Sequence, residues 1–154
     1  MNVTIDVDRD TLWSTIVSAF EGGSNYWIGE IEDAPPKEWK QATFGGYCDE
    51  AGEPLHSSQW WPELDDSSDW EELEKKKLYL YSSQLPFLGG SVKITEEGYD
   101  HDPRPLTGAT IADALQLMHD KHSRHFSNLI SENGDSITGD VLLQLAVFGR
   151  LIYG

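Results

Sequence analysis

The segment running Thr138-Gly139-Asp140-Val141-Leu142-Leu143-Gln144-Leu145-Ala146-Val147-Phe148-Gly149-Arg150-Leu151-Ile152-Tyr153-Gly154 restricts the fold more than any other part of the chain. Thr138 or Asp140 starts a helix bearing Val141, Leu142, Leu145, Phe148 and Ile152, nearly apolar enough to be buried all round. Such a helix must bury most of its surface against other elements of the domain. With 154 residues the chain fits one domain, residues 1–154, around one core.

The elements available to cover it can be read from periodicity. Val3, Ile5 and Val7 alternate with Thr4, Asp6 and Asp8, the period-two pattern of a half-buried strand. Asp8 or Asp10 then caps a helix carrying Leu12, Ile16, Ala19 and Phe20, which Gly22-Gly23 ends. Tyr26 to Ile31 continues as a strand. Leu78 to Tyr81 and Ser91 to Thr95 have strand character and are joined through Pro86 and Gly89-Gly90, which predicts an antiparallel pair. Thr110 and Asp113 form a capping-box pattern ahead of Ile111, Leu115, Met118, His122, Phe126 and Leu129. That spacing predicts one long helix stopping at Asn133-Gly134. The expected class is α+β: a small, mostly antiparallel sheet with two or three packed helices and a long, ordered, acidic, Trp-rich excursion.

That excursion runs from Glu30 to Lys75, where four prolines, Gly45-Gly46 and fourteen acids against three lysines interrupt any period. Its tryptophans argue for order, since disordered segments are poor in aromatics. Within it, Asp65, Asp66, Asp69, Glu71 and Glu72 surround Trp60, Trp61 and Trp70, and aromatic anchors set among charges suit an interface. Over the whole chain acids outnumber bases 27 to 11, a formal charge of −16. Direct binding to nucleic acid or an anionic membrane is therefore disfavoured by the sign of the Coulomb term, and a basic partner is the natural complement. A carboxylate array could occupy a basic nucleic-acid channel in place of phosphates, which sit about 1.7 Å apart along the duplex axis. Cys48 stands alone, and no basic leader or membrane-length apolar run is visible, so a cytoplasmic location is expected.

Motifs for chemistry are sparse. His119, His122 and His125 stand three apart, with His101 and Asp102 upstream, but steps of three spread the first and last imidazoles by about 120° around a helix, unlike the i, i+4 spacing of helical zinc pairs. His122 is expected in the apolar stripe, and no metal or other cofactor is implied. Acids beside Cys48 disfavour its thiolate. The nucleophile elbow, Walker loop and dinucleotide fingerprint are all missing, so an enzyme is not expected.

Phe20-Glu21-Gly22-Gly23-Ser24-Asn25-Tyr26-Trp27 combines permissive glycines, small polar groups and two flat rings, which allows either a helix end followed by core aromatics or a pocket built from Ser24, Asn25, Tyr26 and Trp27. This octapeptide and the C-terminal block resemble segments of a family of small uncharacterised tailed-bacteriophage proteins; Arg150 departs from the acidic residue expected there. The resemblance covers the two ends and implies a phage origin but no activity. With the charge, it points to a non-enzymatic phage accessory protein that inhibits a bacterial defence system by binding a basic nucleic-acid-handling host protein, as anti-CRISPR or anti-restriction proteins do. Two alternatives stand beside it. One is a sponge for a nucleotide-derived immune signal, using Ser24 to Trp27 with Arg104, Lys121, Arg124 and Arg150 as a basic pocket. The other is a small metal-dependent hydrolase using the histidines.

Overall fold

The computed structural model describes residues 6–41, 70–98 and 102–154, and these form an α+β fold. Asp8 opens α1 (Arg9–Ser18) by accepting from the Thr11 amide at 2.8 Å, and a π-helical turn (Ala19–Gly23) closes it. Strand β1 (Ile28–Ala34) follows, then the short β2 (Lys40–Gln41). After α2 (Trp70–Lys76) come β3 (Leu78–Tyr79), a 3-10 helix (Ser82–Phe87), β4 (Ser91–Glu96) and β5 (Arg104–Leu106). Three helices complete the chain: α3 (Gly108–Lys121), α4 (Ser123–Ile130) and α5 (Ser136–Phe148).

Helix α5 is the hub. Every residue from Thr138 to Ala146 is buried, and α1, the π turn, α3, α4 and β5 all pack against it. Asp135 starts it, accepting from the amides of Ile137 and Thr138 at 3.0 Å each, so the helix begins earlier than either start suggested by the sequence. It ends at Gly149, whose φ of 73° is the left-handed cap that glycine takes without strain. Ile152 therefore lies beyond the helix, in an exposed tail.

The main sheet is antiparallel in the order β1-β4-β5, with Ile31 opposite Ile94 and Val92 opposite Leu106. Val92, Ile94 and Leu106 are buried while Lys93 is exposed, the alternation of a sheet with one face on the core. The predicted hairpin between residues 78–81 and 91–95 does not form. β4 pairs instead with β1 and β5, while β3 lies parallel to β2 in a separate two-stranded sheet. The 3-10 helix between them explains the change, because it turns the chain away after Tyr79, and the Gln84 Oε1 takes up the amides of Leu80 and Tyr81 at 2.8 and 3.1 Å.

The single long helix expected from residue 110 onward is two helices. Thr107, rather than Thr110, caps α3 through a reciprocal pair with Thr110, and the chain leaves helical geometry at His122 (φ −136°, ψ 51°) before α4 begins. The strand expected at Tyr26 starts at Ile28, with Tyr26 and Trp27 in the turn before it. Val7 is irregular, and Val3 and Ile5 lie outside the described residues, as does most of the acidic excursion. Among the described residues no helix is long and apolar enough to cross a membrane.

Candidate functional site

The two segments singled out at the chain's ends meet on Asp140. Its Oδ1 accepts from Ser24 Oγ at 2.7 Å and from the Trp27 indole Nε1 at 2.8 Å, while Oδ2 accepts from Tyr26 Oη at 2.6 Å and Gln144 Nε2 at 3.0 Å. Asp140 and Gln144 stand four apart on α5 and so share a face. Gln144 carries the network onward: its Oε1 accepts from the Ile152 and Tyr153 amides, both at 2.9 Å, and its Nε2 donates to the Tyr153 carbonyl at 3.2 Å. Tyr153 in turn donates to Glu96 Oε1 at 2.7 Å on β4.

The rings close over this network. Trp27, only 2% exposed, lies parallel to Tyr153 with centroids 5.6 Å apart and is tilted against Phe148 at 5.2 Å. Tyr26 stays 53% exposed although its hydroxyl is bound, and Asn25 is exposed with Nδ2 on the Glu21 carbonyl at 3.3 Å. Burial, and then the hydrogen bond and charge of Asp140, push the Tyr26 phenol up to about 12, with the Gln144 contact acting the other way. A carboxylate offers about four acceptor positions, and all four on Asp140 are filled by donors of this chain. The arrangement is suited to fastening the turn after α1, the central helix and the C-terminal tail together; no acceptor position is left for a metal or a substrate proton.

The acidic, tryptophan-rich stretch is described only from Trp70 onward; Trp60, Trp61, Asp65, Asp66 and Asp69 lie outside the described residues. Trp70 docks its ring edge-on against Trp13 at 5.6 Å and near Phe87 at 6.0 Å, under the Arg9 guanidinium, and its Nε1 donates to Asp10 Oδ1 at 2.6 Å. Glu71 points to solvent. Glu72, half-buried, stands 3.8 Å from Lys75 and 3.9 Å from Lys76, and Glu74 pairs with Arg9 at 2.6 Å. Helix α2 thus meets α1 through Trp70 and Glu74.

Among the described residues the histidines do not converge, and His101 lies outside them. His122 is half-buried at the α3–α4 break, while His119 bonds Asp120 at 2.9 Å and stands edge-on to Phe126. Among the described residues no group of three or more His, Cys, Asp or Glu side chains could hold a metal ion. Of the four bases, Arg104 lies over the Phe148 ring at 5.0 Å, Arg150 follows the end of α5, and Lys121 and Arg124 flank the α3–α4 break.

Two grooves that periodicity could not reveal run along α1. One, of about 480 Å³, is lined by Asp8, Asp10, Glu132 and Asp135 with hydroxyls between them; the other, of about 610 Å³, by Trp13, Val17, Phe20, Ile31, Leu80 and Tyr81. Ser14 borders both. Comparison with known protein families, curated proteins and solved structures gives no match for this chain.

Proposed function

We propose that this chain is a phage accessory protein that acts by binding, and that it inhibits a bacterial defence system by engaging a basic, nucleic-acid-handling host protein. The observation that carries this reading is charge left unneutralised at the surface. Against an excess of sixteen acids, Asp8, Asp10, Glu132 and Asp135 gather along one groove, and among the described residues no lysine or arginine pairs with any of them. Charge of this kind accelerates encounter with a positive surface and repels nucleic acid itself. Two members of the Ser24 to Trp27 segment support the same choice over a ligand sponge, because Ser24 Oγ and the Trp27 indole N–H are held by Asp140 and the Trp27 ring packs on Tyr153 and Phe148, while Asn25 and the Tyr26 ring stay exposed.

The test is retention of host proteins on the immobilised chain at low and moderate salt, followed by assay of the retained protein. The expected result is a basic protein held at low salt and released as salt rises, whose nucleic-acid binding or cleavage is suppressed by the purified chain. Recovery of no basic protein at either salt, or of one whose nucleic-acid activity is unchanged, contradicts the proposal.

A further inference from the structure

We infer that the α1 ridge is the docking surface, and that it takes an amphipathic basic segment of a partner protein, with apolar side chains seated between α1 and the 3-10 helix and lysines or arginines over the acidic groove. This inference rests on the proposed function and names the surface that would carry it.

The apolar groove is a concave site of the size that accepts a few side chains, floored by half-buried Val17, Phe20, Ile31 and Leu80, with Trp13 and Tyr81 stacked 6.3 Å apart at one wall. Tyr81 is 54% exposed, an amphipathic ring of the type enriched at binding sites. The walls are held from behind: Trp13 Nε1 donates to Ser83 Oγ at 2.9 Å, and Trp70 braces the other side of the Trp13 ring. The acidic groove lies across Ser14 on the same helix. A partner segment must therefore be apolar along one stripe and positive along the adjoining one, which is the pattern of a basic amphipathic helix laid in a groove. An acidic or purely polar segment fails on one side or the other.

The full chain can be titrated with a synthetic helical peptide having one leucine face and one lysine face, following backbone amide shifts. The expected result is saturable shifts at Trp13, Val17, Phe20 and Tyr81 together with Thr11 and Glu132. Two control peptides, one with glutamate for lysine and one with serine for leucine, should produce none at these positions. Ser14→Arg, at an exposed position between the grooves, should weaken binding by about tenfold or more while leaving the melting temperature unchanged, and Val17→Lys, which blocks the apolar side, should do the same. Equal affinity for Ser14→Arg and the parent chain overturns the inference, as does equally tight binding of the lysine–serine peptide. Self-association abolished by Ser14→Arg would make the occupant a second copy, and nuclear Overhauser contacts from Trp60 or Trp61 to Tyr81 in the free chain would make it the chain's own segment; either result overturns it. A peptide seated in the grooves with no basic host protein recovered leaves the docking surface standing and the host-defence reading refuted. A recovered host protein that binds Ser14→Arg as tightly as the parent does the reverse.

Discussion

Asp140 is a buried carboxylate held by neutral donors, and its energetics follow from what its removal would strand. Asp140→Ala leaves the Ser24 hydroxyl, the Trp27 indole N–H and the Gln144 amide without their acceptor, and each buried polar group so orphaned costs about 1–3 kcal/mol. The expected outcome is a loss of at least about 3 kcal/mol, read as a fall in Tm of roughly 6–12 °C. Trp27→Ala should cost about 3–5 kcal/mol by the cavity it opens beside Tyr153 and Phe148. A pH prediction comes from the phenols. Burial, with Asp140 for Tyr26 and Asp33 for Tyr79, pushes both up to about 12. The unfolded chain gives up these protons near pH 10 and the folded chain holds them, so their contribution is complete below about pH 10 and is lost as pH rises towards about 12. Urea midpoints should therefore fall on that alkaline limb, and Tyr79→Phe should flatten it. Asp140 stood in the sequence as one of two possible starts of the last helix, whereas it lies within that helix and Asp135 caps it. Three of the donors to Asp140, on Ser24, Tyr26 and Trp27, lie more than a hundred residues away, a pairing that local periodicity does not encode.

Among the elements, helices were the more legible because their signals are local. The apolar density of residues 141–148 marked α5 as a helix buried on nearly all sides, and of the two caps offered for α1, Asp8 or Asp10, Asp8 is the one that forms. The break at His122 was hidden because neither glycine nor proline marks it and apolar residues continue at helical spacing on both sides. Strand pairing depends on distant partners, so β4 could be recognised as a strand while its neighbours could not. One glycine in each end segment, Gly23 and Gly139, has a packing role that only the assembled helices explain. A Cβ on Gly139 would stand 2.7 Å from the Thr15 carbonyl oxygen, where α5 crosses α1, and one on Gly23 would collide with the Ser136 carbonyl. Gly139→Ala should therefore destabilise by about 1–3 kcal/mol despite alanine's better helix propensity, measurable as a lower urea midpoint with the same m-value. Asp135→Ala, which removes the cap, should cost about 1 kcal/mol.

For the whole molecule, the two segments that stood out in the sequence meet at the central helix, where Asp140 holds Ser24, Tyr26 and Trp27, and the acids of the α1 groove have no lysine or arginine partner among the described residues. Helices α1 and α2 are neighbours through Arg9–Glu74 and Trp70–Asp10, and Asp10 is also one of the acids of the α1 groove. The acidity was legible from composition, whereas its gathering along one groove required the fold. The most direct measurement compares affinity and stability in one charge-neutralised chain, with Asp8, Asp10 and Asp135 changed to Asn and Glu132 to Gln, against the basic partner retained from host lysate. Asn caps a helix about as well as Asp and Gln keeps the shape of Glu, so the predicted result is a nearly unchanged Tm with affinity reduced several-fold or more and a shallower dependence on salt. Full affinity in the neutralised chain, with the parent's salt dependence, would contradict the claim that this protein binds through its negative charge.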